Sequence, residues 1–301
     1  MAQLKPYRGG FYLWDYLPSL PAAIVFAILF GLATLFIVWR IVRTRTLFSI
    51  PFAIGGAFEV IGYVGRALAE DKTDQLGPYI MQSVLILVAP ALYAASIYMT
   101  LGRLMRSIHG ERHSLVPVRW LTRAFVTGDV FSFLVQSTGG GLMGSGSSSQ
   151  QTGQNIILAG LFIQIIMFGL FAATAVVFDV RMRRWPSGAS LDGTASRWQR
   201  VMMMLYAVSA LIMVRSIFRV VEYIMGKKGY LLRNEWTLYV FDAALMLAVM
   251  AVYGWIYPGE LTATNVKPRP WETADSGSVN MTDEMRPADG GRADGGESGG
   301  K

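Results

Sequence analysis

Apolar residues fall in seven runs of about twenty, each bounded by arginines, acidic turns or glycine-rich polar stretches. A run of that length matches an α-helix crossing the ~30 Å hydrocarbon core of a bilayer. The pattern predicts spans at about 19–39, 47–69, 79–101, 121–142, 156–178, 201–225 and 235–257. The runs are continuous, without alternation, so they read as helices and not as barrel strands. Pro90 falls inside the third span and predicts a kink there. Ahead of the first span, Tyr7, Phe11, Tyr12, Trp14 and Tyr16 read as an interfacial aromatic belt. From Pro258 onward Gly, Asp, Glu, Ser and Pro take over, the composition of a disordered tail. The expected organisation is an N-terminal segment at 1–17, an all-α polytopic transmembrane domain at 18–257 and a tail at 258–301. The first run lacks a small-residue cleavage site, so no cleavable signal peptide is expected.

Composition supports a membrane class. The 301 residues are 53% hydrophobic and 16% charged, well below the ~25% charge of soluble proteins. No cysteine is present, which excludes disulfides, thiolate metal sites, palmitoyl anchors and cysteine nucleophiles. The formal charge of +7 does not indicate nucleic acid, because the basic residues sit mostly at helix ends. Arg40, Arg43 and Arg45 follow the first span; Arg103, Arg106, Arg112, Arg119 and Arg123 follow the third; Arg181, Arg183, Arg184, Arg197 and Arg200 follow the fifth. The even-numbered connections hold only Lys72, Lys227, Lys228 and Arg233. The positive-inside rule then puts the N-terminus outside and the tail in the cytosol.

Polar groups inside the spans are the candidate chemistry. Glu59/Arg66, Asp129/Gln136, Arg215/Glu222 and Glu235/Asp242 are each seven residues apart, so each pair marks one stripe of a helix, about 10 Å long. Arg215, Arg219 and Glu222 stack on one face of the sixth span, where Arg219 and Glu222 can pair. Eight ionisable groups facing lipid would cost roughly 20–28 kcal/mol, so they are expected to face one another or a wet cavity. Three arginines cannot neutralise five carboxylates, so some acid is protonated or a cation or water shares the site. Glu59/Arg66 and Arg219/Glu222 read equally well as pairs satisfied internally, while Asp129 and Asp242 favour a cavity role. A common interior around Glu59, Asp129, Arg215 and Asp242 is expected.

Other signals are weaker. His109 and His113 are four apart, but Gly110 and Pro117 argue against a helix there and no third ligand is evident, so no metal is expected. Met202, Met203 and Met204 read as packing bulk and not as copper ligands. The Gly/Ser stretch after span four reads as a linker. No GxxxxGK[ST] occurs, so no nucleotide cofactor is expected. No lysine lies within a span, which excludes a retinal Schiff base. The third span ends LGRLMR without an acidic-Arg-aromatic triplet, and the seventh lacks Asn-Pro, unlike rhodopsin-like receptors. A serine hydrolase of the rhomboid type would need GxSxG with an intramembrane histidine, and both histidines lie in a loop. The chain is not expected to be an enzyme.

Several segments in order resemble one family. YLPSLPAAIVFAILF in span one, EVIGYVGR in span two, APALYAASIYMTLGR in span three, GDVFSFLVQSTGGG in span four, GLFIQ in span five, VRSIFRVVEYIMG in span six and EWTLYVFDAAL in span seven resemble the fungal RTA-like proteins, seven-span proteins classed as lipid-translocating exporters. The resemblance covers about residues 12–257. It implies a fungal source, a plasma-membrane or endomembrane location, resistance to membrane-active toxic compounds and movement of sphingoid long-chain bases. Its motifs contain Glu59, Tyr63, Arg66, Asp129, Gln136, Gln164, Arg215, Arg219, Glu222, Glu235 and Asp242, which are the candidate cargo-binding residues. The expected function is transport or flipping of an amphipathic lipid-like molecule, with membrane lipids as surroundings and no nucleic acid. The rival expectations are a lipid sensor signalling through its basic loops and tail to a cytosolic partner, or a structural protein whose charges lock helices together. For that last case, exchanging Arg219 with Glu222 should be harmless.

Overall fold

A computed structural model describes residues 19–70, 75–108, 110–111, 114, 117–144, 150–185, 195–225 and 235–259. The aromatic segment 1–17, His109, His113 and nearly all of the tail lie outside the described residues. Every extended element among those described is helical. They are α1 (Leu20–Thr44), α2 (Ile50–Leu68), α3 (Leu76–Ser107), α4 (Val118–Gly144), α5 (Gln150–Arg184), α6 (Ala195–Met225) and α7 (Glu235–Trp255). A short 3-10 turn, Leu47–Ser49, leads into α2.

Local chemistry sets several of these boundaries. Pro21 opens α1 in its first turn, where the missing N–H would have had no partner. Arg45 closes it in the left-handed region, φ 54°, donating its backbone N–H to the Ile41 carbonyl. α3 runs without interruption through Pro90. α4 continues past Gly139, Gly140 and Gly141, and α5 begins at Gln150, ahead of the apolar run. Apolarity marks where a helix enters hydrocarbon, not where it starts, so the spans are shorter than the helices.

Among the described residues six helices are long and apolar enough to cross a membrane, and the chain is a polytopic membrane protein. α4 is not among the six, although the run at 121–142 was expected as a seventh. Its 27 residues are ample, but Arg119, Arg123, Asp129, Ser132 and Gln136 dilute its apolar face.

The helices pack in chain order. Each rests on the next from α1 to α7, α7 returns to α1, and α3 also reaches α6. α3 therefore lies near the centre, burying Tyr93, Ile97, Tyr98, Leu101 and Leu104 against Met246, Val249, Met250 and Tyr253 of α7 and the rest of one core. α1 is peripheral. It buries Ala23, Phe30 and Ile37, which repeat every seven residues along one stripe, and exposes Ile28, Leu32, Leu35 and Val42. So broad an apolar face belongs against lipid.

Small residues set the closest approaches. A Cβ on Gly62 would come within 2.7 Å of Ile86 Cγ1, and one on Gly55 within 3.0 Å of the Ala89 carbonyl oxygen, so α2 lies against α3 almost backbone to backbone. α4 and α5 meet more tightly still, because a Cβ on Gly139 would lie 2.6 Å from the Gly153 oxygen and 2.9 Å from the Ile157 nitrogen. Gly139 and Gly153 therefore weld two helices together, while 145–149 of the expected linker lie outside the described residues. At the opposite end of the bundle, Ser49 Oγ lies 2.7 Å from the Tyr253 hydroxyl, and Thr46 bonds to Tyr257.

Candidate functional site

The charged groups meet where α6 and α7 cross. Arg215 donates from Nε to Asp242 and from Nη2 to the Ile86 carbonyl at 3.2 Å. Arg219, one turn on, donates to Asp242 at 2.6 Å and to Glu222 at 2.9 Å. Asp242 thus holds both arginines, one at each oxygen, and is only 1% exposed. Two arginines and two carboxylates form a neutral cluster. Charge-assisted bonds to both oxygens of Asp242 and to Glu222 Oε2 are the arrangement that makes burial tolerable.

The backbone of α7 aids this placement. Tyr239–Ala244 forms a π-helical segment between two α-helical ones. A π segment carries extra backbone per turn and re-aims the side chains it carries. Here Tyr239 and Asp242 are both turned into the bundle.

A second group lies nearer the start of α7. Arg66 donates to Glu235 at 2.7 Å and to the Tyr239 hydroxyl at 3.0 Å, with its guanidinium 5.2 Å from the Tyr239 ring centroid. Tyr239 donates in turn to Glu235 at 3.2 Å, and the Ser19 N–H donates to the same carboxylate at 2.8 Å. Glu235 keeps 18% of its side chain exposed while Arg66 keeps none. Glu59 and Arg66, which the spacing allowed as an internal pair, do not bond each other. Two helical turns separate them along α2, and Arg66 pairs instead with Glu235 and Tyr239 of α7.

Glu59 remains. It is 1% exposed, and no protein group donates to either carboxylate oxygen. It lies within electrostatic range of Asp242, Arg215 and Arg219. Tyr63, one turn along α2, is fully buried and its hydroxyl also lacks a partner. Its ring stacks on Phe30 at 5.4 Å and lies 6.2 Å from Tyr239. An aromatic wall therefore borders the charged cluster on the side of α1.

The remaining candidates do not join this cluster. Asp129 accepts from the Tyr98 hydroxyl at 2.8 Å and is 5% exposed. Gln136 donates to Ser132 at 2.9 Å and to Gln164 at 3.1 Å, and Ser132 donates to the Gly160 carbonyl at 2.6 Å. This chain of uncharged bonds ties α4 to α5. The expected common interior that included Asp129 is therefore divided in two: Glu59, Arg215 and Asp242 share one place, and Asp129 lies against Tyr98 and its aromatic neighbours Phe125 and Phe171. Met202 and Met204 are buried packing residues, while Met203 is exposed. Between α5 and α6 an apolar groove of about 240 Å³ is lined by Ala172, Ala175, Val176, Tyr206 and Met213 among others, none of them charged.

Reading the sequence alone missed Tyr239, Tyr98, Ser132 and Ser19. Tyr239 was the most accessible of these, since it sits at i+4 from Glu235 and shares its face.

Comparison with known proteins gives a consistent outcome. Residues 52–265 match the family described as RTA1 like protein. Protoporphyrin uptake protein 1 of Saccharomyces cerevisiae is 39% identical over 280 residues, covering 81% of this chain and 91% of that protein. Protein RTA1 of the same yeast is 35% identical, covering 83% and 86%. A yeast sphingoid long-chain base transporter, RSB1, is 26% identical, covering 84% and 76%. No solved structure matches. The matched region contains Glu59, Arg66, Arg215, Arg219, Glu222, Glu235 and Asp242, and the chain belongs to the RTA1-like family of membrane proteins.

Proposed function

We propose that the protein moves amphipathic, lipid-like molecules across or between the leaflets of a membrane, with a cationic amine of the sphingoid-base type as the favoured headgroup. The observation that carries this reading is the buried ionic cluster of α2, α6 and α7, where Glu59 has no protein donor beside an otherwise neutral set of ion pairs. An intramembrane charge of this kind marks a pathway by default. Relatives bearing the names of a protoporphyrin uptake protein and a sphingoid base transporter support cargo of this class.

In this reading α4 is the seventh span, the N-terminus is outside and the tail is cytosolic. The protein resides in the plasma membrane, catalyses no covalent chemistry and contributes to resistance against membrane-active compounds. Glu235, partly exposed at the start of α7, meets the amine first. The amine then passes to Asp242, two turns deeper, by replacing an arginine as the carboxylate's partner, with Glu59 beside it as a further acceptor. The aliphatic tail stays in lipid or along the α5–α6 groove. Exchange rather than free binding suits the geometry, because moving a charge among fixed partners avoids the full cost of exposing it to hydrocarbon.

The test is transbilayer movement of a labelled long-chain base in proteoliposomes. The Glu222→Gln/Asp242→Asn variant should move it at least ~10-fold more slowly than wild type, equivalent to about 1.4 kcal/mol of barrier. Equal rates in the two proteins would remove the mechanism. Exchanging Arg219 with Glu222 does not serve as the discriminating experiment, because Arg219 also holds Asp242 and the exchange would set two carboxylates together.

A further inference from the structure

We propose that Glu59 is a proton-binding site at the centre of the bundle, occupied in the arrangement described here, and that it competes with Asp242 for the arginines of α6. An ionised carboxylate buried away from water needs donors, and breaking such pairing typically costs several kcal/mol. Glu59 is 1% exposed and receives no hydrogen bond from any protein group at either oxygen. The groups facing it from each packed element are Tyr63 on α2, Tyr93 on α3, Arg215 and Arg219 on α6, and Asp242 on α7.

None of these supplies the missing charge. The Tyr93 hydroxyl is directed to Met250 Sδ at 3.2 Å. Both arginines are bound to Asp242, and the cluster of Arg215, Arg219, Asp242 and Glu222 is already neutral. Ionised Glu59 would add one uncompensated negative charge to it, whereas protonated Glu59 adds none.

The same geometry supplies the partner that an ionised Glu59 would take. Arg219 Nε is buried and has no acceptor. When Glu59 gives up its proton, its carboxylate becomes the acceptor that Arg219 Nε lacks, and it draws a guanidinium from Asp242. Asp242 is then short of one donor and open to a cation from elsewhere. Protonation of Glu59 and occupancy of Asp242 by an arginine therefore rise and fall together.

This assignment is tested by infrared difference spectroscopy on the full-length protein in lipid at neutral pH, with no cargo present, so that its failure and a failure of transport are separable. The spectrum of wild type minus Glu59→Gln should contain the carbonyl stretch of a protonated carboxylic acid. Glutamine differs from the neutral acid by one polar group, so Glu59→Gln should also fold and melt within a few degrees of wild type. In Asp242→Asn the arginines lose their shared carboxylate and turn to Glu59, so the same band should disappear although Glu59 is intact. A carboxylate signature for Glu59 in wild type, or unfolding of Glu59→Gln, overturns the proton assignment. Persistence of the band in Asp242→Asn overturns the competition with Asp242.

Discussion

The two sides of the bundle solve the burial of polar groups in different ways. Where α2, α6 and α7 meet, three arginines and four carboxylates are drawn together, and each arginine reaches carboxylates of another helix. Where α4 meets α5, the bonds are uncharged, short and local, running through Gln136, Gln164, Ser132 and a backbone carbonyl between helices in glycine-to-glycine contact. In the second arrangement amide and hydroxyl groups bond to one another, although Gln136 Oε1 receives no hydrogen bond, and the backbone has little room to move. The first is balanced but redundant, with more acceptors than the arginines can fill. Redundancy permits exchange of partners, and for that reason the charged side is assigned to function and the α4–α5 side to scaffolding.

Substitutions on the two sides should differ in size and kind. The largest loss is expected for Arg215→Met, which leaves Asp242 buried with one arginine and should cost about 3–5 kcal/mol in equilibrium unfolding from mixed micelles. A smaller cost would show that water or another donor reaches Asp242 and that the charged side is wetter than its burial indicates. Gly139→Ala comes next. The new methyl collides with backbone atoms of α5 and should cost about 1–3 kcal/mol, while Gly140→Ala, which faces open space, should cost nothing comparable. Equal effects at the two glycines would mean that α4 and α5 are not welded. Gln164→Leu removes one interhelical hydrogen bond and should cost only about 0.6 kcal/mol in the same measurement. Arg106→Ala should be the mildest, because its pair with Glu111 is 3.8 Å long with both side chains more than half exposed. No measurable change in unfolding is expected from it.

Much of this was readable from the chain. Charge within an apolar run is conspicuous because it is costly, so Arg215, Arg219, Glu222 and Asp242 stood out at once, as did the pairing of Arg219 with Glu222 three residues along. Pairing between helices was not readable. Spacing reports which residues share a face of one helix, so it offered Arg66 to Glu59, whereas the fold gives Arg66 to Glu235 and leaves Glu59 without a donor. The separation of Asp129 from the other acids was hidden for the same reason. Helix ends were misjudged at α4 and α5 because glycine and glutamine outside an apolar run look like loop. Glycine in a membrane helix is also how two backbones come close, and Gly139 and Gly153 serve that purpose. The π segment around Asp242 left no sequence mark that spacing could detect.

The central claim is that amphipathic cargo docks on the charged side. It is tested most directly by photo-crosslinking a long-chain base that carries a photoreactive group next to its amine, in lipid, with the labelled peptides mapped by mass spectrometry. The account predicts labels on α2, α3 and α7 around Tyr63, Ile86 and Tyr239, competed by unlabelled base and lost in Asp242→Asn. Labels confined to α4 and α5 around Gln136 and Gln164, unchanged in Asp242→Asn, would contradict it.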